Sequence, residues 1–333
     1  MKCVAAWRRL EPAVAPAATR ETDSSDFMQD RSEFSVGPLT PLDGGDGEAL
    51  TASGTQIATL GAMQATWWVD SIPHTVALPN IPVRGARWST DGTAIFAGTG
   101  AIDVVRGTWS EHPAFYELVQ PGPPGEGCIV IQATSWSQDG RHAAVLLGWS
   151  GPEPLAGPPP LAKAVVLDLT SGAASAPIPA AEASSVRIVG DRVVIAAPVV
   201  RVWTLDGVEV SALPARPNAP LALSGGDDGG LVLLIDADWS IRVVDAVTWT
   251  VQAIWSGPFL DAVAVPGGVV AVDFEGKLHG GCLATDRLRE VGAADTGVPA
   301  AHLAATGDGR IVIMGAGAVP VYASAFRLRC TEG

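Results

Sequence analysis

The residues able to do chemistry are few and far apart. Five histidines, His74, His112, His142, His279 and His302, form no HxH, HxxxH or HExxH pair, so no two imidazoles are spaced to share a zinc ion. Cys3, Cys128, Cys282 and Cys330 show no CxxC and no pairing rhythm; they read as free thiols in a reducing cytoplasm. Gly-x-Ser-x-Gly does not occur, and no serine or cysteine has a base assigned to it. Gly98-Thr99-Gly100 and Gly315-Ala316-Gly317 look like pieces of phosphate loops, but neither leads into a helix whose N-terminal dipole would hold an anion. A calcium site needs converging oxygen ligands. The chain offers Asn80 and Asn218 as its only asparagines, with Asp236, Asp238 and Glu275 as the carboxylates expected near them. The expectation is a protein that is not an enzyme and carries no cofactor.

What remains is recognition, and the elements that would position it repeat along the chain. Leu221 to Trp255 reads as four strands joined by three tight turns: LALS, LVLLI, SIRVVD, and Trp249 to Trp255. A four-stranded antiparallel unit of about 40 residues is one blade of a propeller, and it must stack on neighbours to bury both faces. Six further units follow the same plan. The first runs from ALTAS to HTVALP; the second is GARWSTDG, TAIFAG, AIDVVRG and FYELVQ; the third is ATSWSQDG, RHAAVLLG, AKAVVLDL and ASAPIP. The fourth spans SSVRIVGD to EVSALP, the sixth LDAVAVPGG to LREVG. In the seventh, VPVYAS and AFRLRC are two separate outer strands. The fold expected is all-β, a single seven-bladed propeller over residues 46–333.

Two turns recur in register. Asp91-Gly92, Asp139-Gly140, Asp228-Gly229 and Asp308-Gly309 fall between first and second strands, where Gly supplies the positive φ of a tight hairpin. After the third strand stand Asp70, Asp168, Asp206, Asp245 and Asp286, whose carboxylates can accept backbone N–H groups of the turn. The succession of strand, Ser-x-Asp-Gly, strand, then apolar-x-apolar-x-Asp resembles the repeat of the WD40 and WD40-like propellers. ARWSTDG, TSWSQDG, VVLDLTSG and IRVVDAVT carry the resemblance. Gly-His and Trp-Asp pairs are absent from every blade, and the matched motifs are structural, so no functional residue is carried over. An Asp-box of the sialidase kind is not matched either, because Asp and Gly are adjacent here.

Residues 1–45 stand outside the repeat as an arm rich in Pro, Ala, Ser, Asp and Gly. Two roles are open to it: closing the ring with a strand, for which KCVAAW has the alternation, or lying across the surface toward a partner. Arg8 and Arg9 interrupt the first apolar run, and no stretch approaches the ~20 residues of a membrane span.

Composition bounds the partner. Lys plus Arg at 21 against Asp plus Glu at 35 leaves a net charge of −14, which disfavours nucleic acid and anionic membranes. Among 11 tryptophans, Trp88, Trp136 and Trp203 suit packing between blades. Trp149 and Trp239 are expected in loops joining second to third strands, as interface anchors or as caps over the blade beneath. Glu153, Arg216, Asp236 and Asp238 share that face, with the proline-rich stretches WSGPEPLAGPPPLAK, VQPGPPGEG and LPARPNAP. The function expected is a protein-interaction scaffold or recognition subunit binding other protein subunits. The rival readings are a hydrolase or lactonase with a divalent cation at the channel mouth, and a secreted carbohydrate-binding propeller.

Overall fold

Alternation along each strand sends successive side chains to opposite faces, and in a ring of stacked sheets both faces are interior. Trp67 and Trp68 illustrate the result: Trp67 packs with Trp88 and Ile95 toward the second blade, and Trp68 packs with Val312 and Met314 toward the seventh. A computed structural model describes residues 33–42, 47, 49–61, 63–79, 85–119, 127–151, 162–225, 230–284, 287–297, 300–315 and 321–330. They form seven antiparallel sheets arranged as a propeller, with the first strand of each blade against the next around the axis.

Blade 1 comprises Ala49–Ser53, Gln56–Leu60, Gln64–Val69 and Ile72–Ala77, and blade 5 comprises Ala222–Gly225, Leu231–Ile235, Ile241–Asp245 and Val251–Trp255. Blades 3, 4 and 6 repeat the order, beginning at Cys128–Trp136, Ser185–Val189 and Phe259–Val265. Seven apolar clusters fill the seven gaps between blades. The hydrophobic effect therefore acts between sheets, and no blade holds a core of its own.

Two blades differ from the expected layout. In blade 2, FYELVQ is not the outer strand: Gly107, at φ +65, donates to the Asp103 carbonyl at 2.8 Å and closes the turn early, so Thr108–Glu111 takes that place. Pro113–Phe115 then forms a 3₁₀ turn capped by His112, and Phe115 seats against Trp136 with centroids 5.4 Å apart. In blade 7 the two expected outer strands run together as one, Val321–Arg329, within which no Gly or Pro interrupts the alternation. Its outer partner comes from the other end of the chain. Glu33–Val36 pairs with Phe326–Arg329, and Thr40–Leu42 pairs with Val321–Ala323. KCVAAW lies outside the described residues.

Cys128, Cys282 and Cys330 are not free thiols, and Cys3 lies outside the described residues. Cys282, in the third strand of blade 6, is disulfide-bonded to Cys330, which follows the long strand of blade 7; their Cα atoms are 5.6 Å apart. Cys128 is disulfide-bonded as well. The sequence hid this because residues 48 apart become neighbours only when blades 6 and 7 stack. Disulfides belong to oxidising compartments, so the cysteines no longer argue for a reducing cytoplasm. Among the described residues no helix is long and apolar enough to cross a membrane.

The recurrent turns have a common mechanism. Ser89 Oγ accepts the Ala94 N–H at 2.9 Å and donates to Asp91 at 2.7 Å, while Asp91 accepts the Thr93 N–H at 3.0 Å. Ser137 with Asp139 repeats this geometry, and Thr306 with Asp308 does so in blade 7. After the third strands, Asp168 accepts from Thr170 and Asp245 from Val247 and Thr248. Asp103 acts alike toward Val105 and Arg106. At Asp206 the turn uses the Thr204 hydroxyl instead, which accepts the Val208 N–H at 3.1 Å, and Asp70 itself takes a left-handed φ of +51. Asp228 and Asp286 lie outside the described residues.

These bonds favour the carboxylate form. The Ser89 hydroxyl, followed by the Thr93 amide, holds Asp91 at about 2 against an ordinary 3.8. Because the folded value is the lower one, the contribution of this turn is complete above the unfolded value and lost as pH falls through the folded one. Comparing thermal unfolding of the wild type and Asp91→Asn from pH 6 to pH 2 should show the wild type more stable at pH 6 and the two converging toward pH 2; parallel curves would rule the turn out as an acid-labile point.

Candidate functional site

The links from outer strand to next inner strand and the turns from second to third strand share one face, opposite the Ser-x-Asp-Gly turns. On that face three expected residues, Arg216, Asp236 and Asp238, meet in one network. Asp236 follows the second strand of blade 5, and its carboxylate is clasped by Arg242 from the third strand, with Nε and Nη2 each at 2.7 Å from a different oxygen. Both side chains are almost wholly buried. Arg216, on the link Leu213 to Leu221, reaches the same carboxylate at 3.6 Å and Asp238 at 3.4 Å, and its own N–H bonds the Pro198 carbonyl at 2.8 Å. Asp238 turns back to accept from Ser240, N–H at 3.1 Å and Oγ at 2.6 Å, and that hydroxyl holds its carboxyl below the usual range. The network ties the blade 4 loop, the inter-blade link and the blade 5 turn into one piece.

Trp239 completes this turn. Its N–H bonds the Asp236 carbonyl at 2.8 Å, its carbonyl accepts the Phe259 N–H at 3.1 Å, and its half-buried indole meets Phe274 edge-on with centroids 4.6 Å apart. Phe274 lies in the corresponding turn of blade 6. There Asp273 plays the part of Asp236, its Oδ2 lying 2.8 Å from His279 Nε2. Arg242 and His279 were not among the expected site residues. The sequence did hold a signal, an arginine or histidine six positions after an aspartate at the end of a second strand, in both blades.

Trp149 is placed differently from the expectation. It is the penultimate residue of the strand His142–Ser150, paired with Ile129, and not part of the following loop. Its half-buried ring covers Gly127, where a Cβ would come within 2.6 Å of Cε2, so the indole caps its own blade at a point that only glycine allows. Trp149 and Trp239 stand on blades 3 and 5 and do not meet. Glu153 and most of its proline-rich loop lie outside the described residues. Trp88 and Trp136 are buried between blades, and Trp203 packs against the cluster of blades 3 and 4.

The axis of the ring is crossed by protein groups. Arg87, in the inner strand of blade 2, donates to the carbonyls of Trp136 and Ile188, both at 3.2 Å, one and two blades on. Toward the other end, Asp261 accepts the N–H groups of Ala262 and Leu303, each at 2.8 Å, with His302 Nδ1 at 3.8 Å. Burial raises the Asp261 carboxyl, with His302 and Arg187 opposing that shift. Ser135 accepts from Ile188 N–H and Ser224 donates to the Ala262 carbonyl, both at 2.9 Å. These groups stitch inner strands together. Among the described residues no group of three His, Cys, Asp or Glu side chains is gathered in a way that could hold a metal ion.

No family model and no curated protein matches the sequence. Solved structures do. A chain of a mitotic checkpoint complex is similar with a TM-score of 0.63 at 13% identity, over 96% of this chain and 99% of that one. The C-terminal WD40 domain of Sif2 gives 0.54 at 13% identity, over 88% and 81%. The likeness is one of fold, and by fold this chain is a seven-bladed β-propeller.

Proposed function

We propose that the protein is a non-catalytic interaction scaffold or recognition subunit, and that another protein subunit docks across the loop face around Trp239. The observation that carries this reading is the Arg216, Asp236, Asp238 and Arg242 network, which fixes three separate loops in one geometry beside a half-buried tryptophan. A platform rigid before binding loses little entropy on docking, and tryptophan is a common anchor of protein interfaces. Similar folds in a mitotic checkpoint complex agree with a role in assemblies.

The test is affinity capture from the source cells with the wild type beside a Trp149→Ala, Trp239→Ala double variant, matched for thermal stability. A stoichiometric protein retained by the wild type and lost by the variant is expected. Capture of none by either would overturn the scaffold reading.

A further inference from the structure

The turns of blades 5 and 6 share one backbone conformation and differ most at their fourth position. Asp236, Ala237, Asp238 and Trp239 align with Asp273, Phe274, Glu275 and Gly276: in both, the fourth N–H returns to the first carbonyl, at 2.8 Å and 3.1 Å. The fourth residue is left-handed in both, at φ +80 for Gly276 and +64 for Trp239. Glycine takes that conformation freely, whereas a bulky side chain there is strained. The turn itself therefore asks for glycine, and tryptophan is present for its ring.

Blade 5 holds an internal control. Trp249 has φ +55 at a position where the matching turns of blades 2 and 3 have Gly107 and Gly172. Its ring is buried among Val194, Val202 and Leu234, so packing repays its strain. Trp239 packs only in part against the cluster between blades 5 and 6 and stays half-buried, as does Phe274 beside it, with Asp238 and Glu275 exposed in the same two turns. The two acidic residues occupy the same position in adjacent turns, with side chains 60% and 80% exposed. The cations facing them are Arg216, already shared between two carboxylates, and Lys277, 3.9 Å from Glu275 in an exposed pair of little strength.

We infer that this Trp239–Phe274 rim, between Asp238 and Glu275, docks an extended protein segment bearing lysine or arginine. The aromatic faces receive the stem and cation of such a side chain, and the carboxylates receive its charge. The chain's net charge of −14 adds long-range attraction for a basic partner. This assignment rests on the scaffold reading and adds the partner's chemistry to it.

The test uses the full chain with fluorescent nonapeptides alternating Arg/Ala, Lys/Ala and Glu/Ala, read by anisotropy at two salt concentrations. Trp239→Gly removes the ring and the strain together, so its melting temperature should stay within about 3 °C of wild type. Trp249→Gly should lose on the order of 10 °C, as a core deletion does. A basic peptide should bind the wild type in preference to Glu/Ala, weaken about tenfold or more in Trp239→Gly, and weaken in Glu275→Lys. Equal binding to wild type and both variants would mean diffuse charge attraction and would overturn the inference, as would preference for the acidic peptide. If captured partners survive Trp239→Gly, this inference fails while the scaffold reading stands; if no partner is captured at all, the scaffold reading fails with it.

Discussion

Replacing residues 33–42 with a glycine-serine segment of equal length should lower the melting temperature by on the order of 10 °C. Those residues supply the outer strand of blade 7, in two pieces joined at Gly37 to Leu39. Phe34, Val36 and Leu39 are partly buried against the cluster between blades 6 and 7, and Leu42 is buried between blades 7 and 1. At about half of the ~1.5–3 kcal/mol for a fully buried side chain, four such residues contribute on the order of 5 kcal/mol. Phe34 also lies against Gly280 and Gly292 of blade 6, so the closing strand grips two blades. The cost should appear in thermal or denaturant unfolding with the Cys282–Cys330 disulfide intact, which isolates the strand from the covalent tie beside it. A shift below about 2 °C would show that the ring holds without its N-terminal strand.

Asp236→Ala should destabilise the protein by about 3–5 kcal/mol, because it strands Arg242 as a buried charge without its carboxylate. Arg242→Met should cost less. In that variant Asp236 keeps Arg216 at 3.6 Å, and the methionine fills the apolar stem's place. Denaturant unfolding of both variants and of the double variant Asp236→Leu, Arg242→Met measures the asymmetry. The double variant should recover much of the loss, since matched apolar groups leave no unpaired charge. Equal losses in the two single variants would remove Arg216 from the network and with it the claim that the link and the turn form one rigid platform.

The blade plan could be read from the chain because its signals are local. LVLLI, the Ser-x-Asp-Gly turns and the aspartates after third strands state strand, turn and repeat within a few residues of each other, and hydrophobic periodicity and positive-φ glycines need no distant partner to be recognised. FYELVQ was misleading for the same reason. The Gly107 turn had already brought Thr108–Glu111 into the outer-strand place, and of the segment's apolar residues Phe115 and Leu118 pack into the Trp136 cluster while Tyr116 and Val119 stay exposed.

Tertiary structure decided what depends on residues far apart. Nothing near Cys282 announces Cys330, and nothing in Glu33–Val36 announces Arg329; each pair exists only because ring geometry returns the chain to its start. The site followed the same division. Trp239, Arg216, Asp236 and Asp238 were legible as face residues from the turn pattern, yet their union through buried Arg242 was not. Alternation marks which side of a strand a residue faces but not which charge it meets across a turn. The sequence by itself determined the repeat, since local backbone preference and burial period are written residue by residue. Closure, the disulfide and the joined platform on the loop face were left to long-range stacking of blades, whose contacts carry no short-range signature.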